Sequence, residues 1–544
     1  YYIPILRPSD AQDLNPFTFD GVIDRLLRVL SSGDYNFCGQ NIKFDYLVLK
    51  NNGIELKNIV SDSMIAESLL HPESNSYKLE SLALDYLSHR MVPIEDLIGY
   101  GKDQISMDKV PIDKISTYAC EDSDIALQVN LLQEKELEKK NIKGVYDSIE
   151  MPLISVLAKM ELNGVFIDTS VLSNLSTEIK SRMTDIESRI YMLAGHEFNI
   201  NSPMQLADVL FDELKLKTVQ KRSTAINVLE ALKDDHPLPE EVLEFRHLAK
   251  LKSTYIDALP RYIHSSTGRV HSSFNQAIAS TGRLSSTSPN FQNIPIRTDL
   301  GKEIRRAFIA QQESSHIFSA DYSQVELRIM ADFSQEPVLI DAFNNGIDIH
   351  SKTASLINNI DLNQVTANQR RIAKVVNFGI MYGAGPYRIS QELKISMKEA
   401  KEIIDNYFDT YPKISNYISS SLNKAREDGY VKTINGRRRN LVNIRSSNKN
   451  LARADERIAI NMPIQGTAAE LIKIAMINIQ EKIEVMNLET KLILQVHDEL
   501  ILEVPENEKN VVSEMVIEEM ESALRISVPL KVDSSFGCSW FEAH

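Results

Sequence analysis

The 544-residue sequence predicts a multidomain protein that combines α/β and α+β parts. Its length is several times that of a typical domain and suggests roughly three to four domains. Short β-like runs occur towards both ends of the chain, whereas the middle shows mostly the periodicity of amphipathic helices. We expect the chain to divide into segments 1–147, 148–260, 261–333, 334–440 and 441–544.

The first segment mixes β-like runs (YYIPIL and FDYLVL) with the long helical stretch TYACEDSDIALQVNLLQEKELEKK, which is typical of an α/β domain. Segment 148–260 is mainly helical, with MPLISVLAKMEL as an example. Basic connections in this segment carry Lys250 and Lys252. Such lysines are also typical of a solvated helix face, so the sequence alone leaves both interpretations open.

Segment 261–333 returns to strands and Ser/Thr/Asn-rich loops, including TGRLSSTSPNFQNIP. A helical block follows over 334–440, and an α+β segment closes the chain. We therefore expect an α/β domain, a helical domain, and an α+β domain that is interrupted by a helical insertion.

Composition excludes several classes of protein. Hydrophobic residues make up 43% and charged residues 25%, as in ordinary soluble proteins, and no apolar run is long enough to span a bilayer. Three scattered cysteines (Cys38, Cys120 and Cys538) favour a reducing compartment and argue against structural zinc. The net charge of −15 does not exclude a polyanionic partner, because binding depends on the charge of one groove.

The chain starts at Tyr1 and not at methionine, so we expect it to begin inside a longer translated product. We expect a cytoplasmic protein with no membrane partner. An organellar targeting signal upstream of Tyr1 is also compatible with the sequence.

Two aspartates lie where folding alone would not place a charge. Asp321 ends the run HIFSAD, which is typical of a buried strand, and Asp498 lies between the two apolar arms of KLILQVHDELILEV. A buried carboxylate is costly unless a partner or a metal compensates for its lost hydration. The pair therefore suggests a shared divalent metal site of the type that drives phosphoryl transfer. A hairpin with a polar, solvent-facing tip explains Asp498 equally well at this point.

The stretch NQRRIAKVVNFGIMYG (368–383) carries a second signal. At about 100° per residue, Arg370, Lys374, Phe378 and Tyr382 share one helix face roughly 120° wide. Apolar side chains occupy the opposite side. Two cations followed by two aromatic rings suit a nucleoside triphosphate, because cations neutralise phosphates and aromatic rings stack on a base. The alternative is an amphipathic helix with a merely polar exposed face.

These motifs resemble those of family A DNA polymerases. DYSQVELR (321–328), RRIAKVVNFGIMYG (370–383) and QVHDEL (495–500) match, in order, the first palm motif, the fingers helix and the second palm motif of the family. TGRLSSTSPNFQNIPIR (281–297), ERIAINMPIQGTAAELIK (456–473) and the terminal SWFEAH are also similar to family segments. The resemblance implies a right-hand polymerase with a thumb (148–260), a palm in two parts (261–333 and 441–544) and fingers (334–440). An RNase H-like 3′→5′ exonuclease-type domain (1–147) would precede them.

The resemblance also implies a monomer that is associated with the nucleoid, and it implies roles for single residues in template-directed DNA synthesis. Asp321 and Asp498 would hold two Mg²⁺ ions, for which Mn²⁺ can substitute, with Glu499 as a neighbouring acid. Arg370, Lys374 and His350 would bind the incoming dNTP, and Lys374 is also a candidate general acid for pyrophosphate.

The family pattern extends to the sugar and to the primer–template. Glu326 and Tyr382 would close the space that a ribose 2′-hydroxyl needs, and Phe378 implies poor use of dideoxynucleotides. The residues that match minor-groove or primer-terminus contacts are Arg283, Arg457, Asn461, Gln465, Gln495 and His497. Lys250 and Lys252 would grip duplex phosphates from the thumb. For Arg283 and Gln465, a plain surface hydrogen bond is the alternative.

NIKFDYLVLKNNGIEL (41–56) and YACEDSDIALQ (118–128) resemble two motifs of the proofreading exonuclease of the family. Tyr118 and Asp122 are four residues apart and share a helix face, and Asp122 and Asp45 would hold metal. The family also needs an Asp-x-Glu on an earlier strand, and none occurs between Tyr1 and Lys43. We therefore expect little or no proofreading by this chain as given.

Two other functions are compatible with parts of the sequence. A single-subunit RNA polymerase shares the two palm aspartates, but Glu326 and the exonuclease-like domain argue against it. A catalytically inactive DNA-binding scaffold would not need the four residues Asp321, Asp498, Arg370 and Lys374.

Overall fold

The computed structural model describes residues 2–3, 19–74, 76–217, 221–295 and 298–544. Most of the predicted run YYIPIL and the last two residues of TGRLSSTSPNFQNIPIR lie outside these ranges. Within the described residues, no helix is both long enough and apolar enough to cross a membrane.

The first segment is mostly helical, and its helices pack around a short parallel strand pair. The strands are β1 (Phe37–Gly39) and β2 (Ile59–Asp62). The helices are α1 (Phe19–Leu30), α2 (Ile42–Asn51), α3 (Ser63–Leu70), α4 (Leu79–Leu87), α5 (Glu95–Ile98), α6 (Ile112–Lys139) and α7 (Lys143–Val145).

The prediction of a strand at FDYLVL is wrong, because these residues lie inside helix α2. Ile42 and Tyr46 are four residues apart and are both buried, so the apolar spacing that matters has a helical period. The buried Asp62 carboxylate accepts a hydrogen bond from the Ile42 amide at 2.7 Å and so satisfies a free donor in the first turn of the helix.

Segment 148–260 is helical, as predicted, and carries one short strand, β3 (Val165–Phe166). Its helices are α8 (Met151–Asn163), α9 (Thr169–Ala194), α10 (Pro203–Ala207), α11 (Ile226–Leu232) and α12 (Leu238–Leu251). Lys250 lies within α12, so the expected basic connection is in part a helix end.

A four-stranded antiparallel sheet forms the centre of the protein, in the order β10, β11, β7, β12. It joins the two predicted halves of one domain, since β7 (Ser315–Tyr322) precedes the helical insertion whereas β10 (Lys491–Val496), β11 (Glu499–Pro505) and β12 (Val532–Gly537) follow it. The other elements beside the insertion are β4 (Arg269–Val270), β5 (Ser273–Asn275), β6 (Ser285–Thr287), α13 (Asp299–Arg306), α14 (Val325–Ser334), α21 (Lys449–Val485), α22 (Lys509–Ser522) and α23 (Trp540–Ala543).

The helical insertion contains six helices and ends in a small hairpin that the sequence did not predict. Its helices are α15 (Pro337–Asn344), α16 (Ile349–Asn358), α17 (Ala367–Met381), α18 (Pro386–Leu393), α19 (Met397–Thr410) and α20 (Pro412–Asp428), and the hairpin strands are β8 (Tyr430–Lys432) and β9 (Arg438–Asn440). Helix α17 begins with a capping box, in which the Thr366 and Gln369 side chains bond each other's backbone amides.

A buried ionic network joins the hairpin, α21 and the start of segment 148–260. The Arg437 guanidinium contacts Glu150 and lies 3.0 Å from Glu470, and the Lys473 ammonium lies 2.6 Å from Glu150. All four side chains are at most 5% exposed. Gly282 packs against Arg437 with a φ of +82°, and a Cβ there would lie 2.8 Å from the guanidinium Nε. The position therefore requires glycine.

Candidate active site

Asp321 and Asp498 meet at one end of the central sheet. Asp321 is the seventh residue of β7 and pairs in register with Glu499 of β11. Asp498 lies in the two-residue turn between β10 and β11, where His497 adopts a φ of +55°. The Tyr322 amide donates to the Asp498 carbonyl at 3.2 Å, which ties the turn to β7. The predicted hairpin is confirmed.

Burial disfavours the charged form of both aspartates. Burial and the negative charges of Glu499 and Asp498 raise the pKa of Asp321 to about 7. Burial also raises the pKa of Asp498, although the positive charges of Arg283 and His497 oppose the shift. Among the described residues, neither aspartate side chain accepts a hydrogen bond. Free carboxylate oxygens in a desolvated position are the donor set that a hard divalent cation requires.

Glu499 differs from its two neighbours because its carboxylate is already satisfied. Its Oε1 atom accepts hydrogen bonds from the Ser319 hydroxyl at 2.6 Å and from the Trp540 indole at 2.9 Å, and His544 lies 3.2 Å away. These partners lower its pKa. Within the described ranges, no three His, Cys, Asp or Glu side chains come together as a metal-binding group.

Glu326 connects the aspartates to helix α17. Its side chain is 5% exposed, accepts a hydrogen bond from Arg283 Nη2 at 2.7 Å, and accepts another from the Tyr382 hydroxyl. Burial raises the pKa of Glu326. The charge of Arg283 acts on both Glu326 and Asp498, so the sheet end and the end of α17 share one cation.

Helix α17 presents the predicted face. Arg370 and Lys374 are exposed, and the Phe378 and Tyr382 rings stack with their centroids 6.3 Å apart. His350 lies beside them, with its ring centroid 5.7 Å from that of Phe378, and is 2% exposed. Burial lowers the pKa of His350 to about 4.

Asp348 is a site residue that sequence reasoning missed. It caps α16 by accepting the Ser351 amide at 2.6 Å, and its Oδ2 lies 2.6 Å from Arg370 Nη2. The pKa of Asp348 falls to about 2 because the hydrogen bonds and charge of Arg370 and the Ser351 amide outweigh the effect of burial. Its N-cap position before a helix was visible in the sequence, whereas its partner lies 22 residues further on.

The residues predicted to contact the minor groove or primer terminus lie on α21, around the β10–β11 turn, and, for Arg283, beside Glu326. Arg457, Asn461 and Gln465 are four residues apart on α21, and Arg457 packs beside Gly383, directly after Tyr382. Gln495 accepts a hydrogen bond from Gln292 at 3.1 Å and donates one to the His497 carbonyl.

The two predicted thumb lysines differ in their contacts. Lys250 is exposed near the end of α12. The Lys252 ammonium lies 2.6 Å from Asp257 and 2.7 Å from the Ser176 hydroxyl, so its charge is partly neutralised within the protein.

In the N-terminal segment, Asp45 is exposed on α2, and Tyr118 and Asp122 are half-buried on α6. The pKa of Asp122 is raised to about 6 by burial and by the charges of Glu80 and Glu121. Asp45 is not among the charges that shift it.

Comparison with known proteins identifies the family of the chain. The profile of DNA polymerase family A matches residues 169–542, and a 3′-5′ exonuclease profile matches residues 9–138. The chain belongs to DNA polymerase family A, with an exonuclease-type domain at its N-terminal end, which confirms the predicted family and fold class.

Individual relatives support the same conclusion. DNA polymerase I of Rhizobium leguminosarum is 40% identical over the whole chain, and that of Geobacillus stearothermophilus is 42% identical over 91% of it. The chain spans 55% and 57% of these relatives. The POL domain of Pol1 from M. smegmatis, solved in complex with DNA primer-template and dNTP, is 35% identical, with a TM-score of 0.89 over 98% of this chain and 90% of that one.

Proposed function

We propose that this chain is a template-directed DNA polymerase that adds dNTPs to a primer 3′-hydroxyl by two-metal-ion phosphoryl transfer, in DNA replication and repair. The observation that carries the proposal is the pair Asp321 and Asp498, which are desolvated, free of hydrogen-bond donors among the described residues, and linked through Arg283 and Glu326 to helix α17. The similar M. smegmatis domain, whose structure holds primer-template and dNTP, supports the same substrates here.

Asp321 and Asp498 would hold two Mg²⁺ ions, or Mn²⁺ in their place. Bound there, the metals would supply activation of the 3′-hydroxyl and neutralisation of charge on the departing pyrophosphate. Glu499 is held by Ser319 and Trp540, so we propose that it supports the pair and is not a permanent ligand.

The exposed cations of α17 would bind the triphosphate, with Arg370 and Lys374 meeting its phosphates and Lys374 able to protonate pyrophosphate. His350 would add a phosphate contact. Phe378 and Tyr382 would stack near the sugar and base, and the Glu326–Tyr382 pair would close the space for a 2′-hydroxyl.

Primer–template would lie against the remaining predicted residues. We propose minor-groove or primer-terminus contacts from the polar set Arg283, Arg457, Asn461, Gln465, Gln495 and His497. Lys250 and Lys252 would contact duplex phosphates, with Lys252 the weaker because Asp257 already pairs with it.

We propose that the exonuclease-type domain contributes little or no proofreading in this chain as given. Asp45, Tyr118 and Asp122 match two family motifs, but the Asp-x-Glu that the family also needs does not occur between Tyr1 and Lys43. Release of nucleotides from a mispaired 3′ end at a rate comparable to extension would refute this proposal.

Primer extension with a defined template tests the main proposal. Extension with dNTPs should require Mg²⁺ and should exceed extension with NTPs. Preference for NTPs would instead identify an RNA polymerase, and DNA binding without extension would identify a scaffold.

A further inference from the structure

A chain of buried polar side chains lies behind the exposed cations of the fingers. The Tyr411 hydroxyl is 2.8 Å from the Thr353 hydroxyl, which contacts the Asn377 amide, and Asn377 Nδ2 lies 3.1 Å from His350 Nδ1. All four side chains are at most 2% exposed. Buried polar groups of this kind are normally fully paired, so each proton in the chain can be assigned.

The Thr353 hydroxyl has a single proton to donate. We assign that proton to the Ile349 carbonyl at 2.8 Å, which is nearer than Asn377 Oδ1 at 3.3 Å, and the Tyr411 hydroxyl then donates to Thr353. Towards Asn377, the Thr353 oxygen therefore acts as an acceptor. Asn377 Nδ2 lies 3.2 Å from this oxygen and Oδ1 lies 3.3 Å from it, so distance alone does not orient the amide. The count of protons orients it, because the Thr353 oxygen needs a donor on this side and only Nδ2 of Asn377 can donate.

With Asn377 oriented in this way, its second N–H points at His350 Nδ1. An amide nitrogen can only donate, so Nδ1 must accept and the ring proton must reside on Nε2. The ring is neutral, because burial lowers the pKa of His350 to about 4. Arg370 and Lys374 act in the same direction and Asp348 opposes them. Among the described residues, Nε2 has no hydrogen-bond partner.

We propose that Asn377 is a positioning residue that fixes His350 as its Nε2–H tautomer, so that a nucleotide phosphate meets a hydrogen-bond donor. This inference rests on the proposed function, since the phosphate is that of the incoming dNTP. Phosphate oxygens only accept, and the opposite tautomer would direct a lone pair at them. A neutral donor adds a directional contact beside the flexible charges of Arg370 and Lys374.

The tautomer can be measured without any catalysis. In protein labelled with ¹³C and ¹⁵N at histidine, the ring shifts of His350 are identified by their loss in His350→Ala. Wild-type protein should show the Nε2–H pattern. In Asn377→Asp, the new carboxylate accepts a proton from Nδ1, so the pattern should change to Nδ1–H or to the imidazolium. Asn406→Asp is the matched control, because Asn406 is exposed on α19, and it should leave the pattern unchanged.

Kinetics supply the second readout. If the ring of Asn377→Asp is in the neutral Nδ1–H form, the KM for dNTP should rise about tenfold, as expected for loss of a hydrogen bond to a charged group, with a smaller change in kcat. If the ring is an imidazolium, it keeps its Nε2 proton and the KM should not rise. An Nδ1–H tautomer in wild-type protein overturns the proposal, as does an unchanged tautomer in Asn377→Asp. A neutral Nδ1–H ring with an unchanged KM overturns the phosphate contact, as does an imidazolium with a tenfold higher KM. If Asn377→Asp does not fold, the wild-type spectrum alone decides. If the protein does not extend primers, the spectrum still tests the tautomer separately from the proposed function.

Discussion

Replacing Glu326 tests how the site distinguishes deoxyribose from ribose. The carboxylate is held from two sides, by Arg283 Nη2 at 2.7 Å and by the Tyr382 hydroxyl, and is 5% exposed. Such a group cannot move aside for an added hydroxyl without breaking both hydrogen bonds. Glu326→Ala removes it and opens the space against the stacked ring of Tyr382.

The magnitude follows from the cost of overpacking. Forcing extra atoms into a packed site costs about 1–3 kcal/mol, which corresponds to roughly 5- to 150-fold in kcat/KM. We expect Glu326→Ala to raise the NTP/dNTP ratio of kcat/KM by about 10- to 100-fold. Its kcat/KM for dNTP should also fall, because Tyr382 loses a hydrogen bond to a charged group that contributes about 1.5–3 kcal/mol.

Single-nucleotide primer extension with matched dNTP and NTP measures the ratio. Glu326→Gln is the matched control, because it keeps the volume and an acceptor for Tyr382 while losing the charge. An unchanged ratio in Glu326→Ala would refute the steric argument. An increase in Glu326→Gln as large as that in Glu326→Ala would show that charge, and not volume, excludes the ribose.

Three further predictions concern stability and the N-terminal domain. Arg437→Met should destabilise the protein by about 3–5 kcal/mol in thermal unfolding, because it leaves Glu150 and Glu470 buried with fewer partners. The control is Arg438→Met, which loses only a contact with the Tyr430 ring and should cost about 1 kcal/mol or less in the same assay. The folded-state pKa of buried Asp62 is raised from 3.8 to about 6, so the protonated form is favoured by folding and its stabilisation is lost as pH rises through this range. Amide exchange measures the free energy of local opening around α2. As pH rises through this range, that free energy should fall by about 3 kcal/mol relative to its value in Asp62→Asn. Parallel pH profiles of the two proteins would contradict this prediction. A primer with a mispaired 3′ end should lose no nucleotides at a rate near that of extension, as gel analysis without dNTPs can show.

The sequence predicted features that depend on local periodicity. The hairpin that carries Asp498 and the face of α17 follow from two-residue and 3.6-residue spacings, which neighbouring residues determine. The error at FDYLVL has the same origin, because a short run of aromatic and β-branched residues fits a strand or a buried helix equally well. Tertiary contacts from Asp62 and the core then decide for the helix.

The sequence did not predict side-chain pairs that join distant elements. Asp348 meets Arg370 across 22 residues, Asn377 meets His350 across 27, and Trp540 meets Glu499 across 41. No periodic pattern relates such positions, since their contact depends on how helices and strands pack. The structure therefore adds the residues that orient the candidate site, whereas its two aspartates and the face of α17 could be proposed from the sequence.

The most direct test of the account is single-turnover primer extension by Asp321→Asn and Asp498→Asn in the presence of Mg²⁺. Asp533→Asn is the matched control, because Asp533 pairs in register with Asp321 from the other side of β7 but is exposed. We predict that each of the first two variants loses about a thousandfold or more in rate, equivalent to about 4 kcal/mol of lost transition-state stabilisation, while Asp533→Asn remains near the wild-type rate. Extension at the wild-type rate by Asp321→Asn or Asp498→Asn would contradict the central claim that this pair holds the catalytic metals.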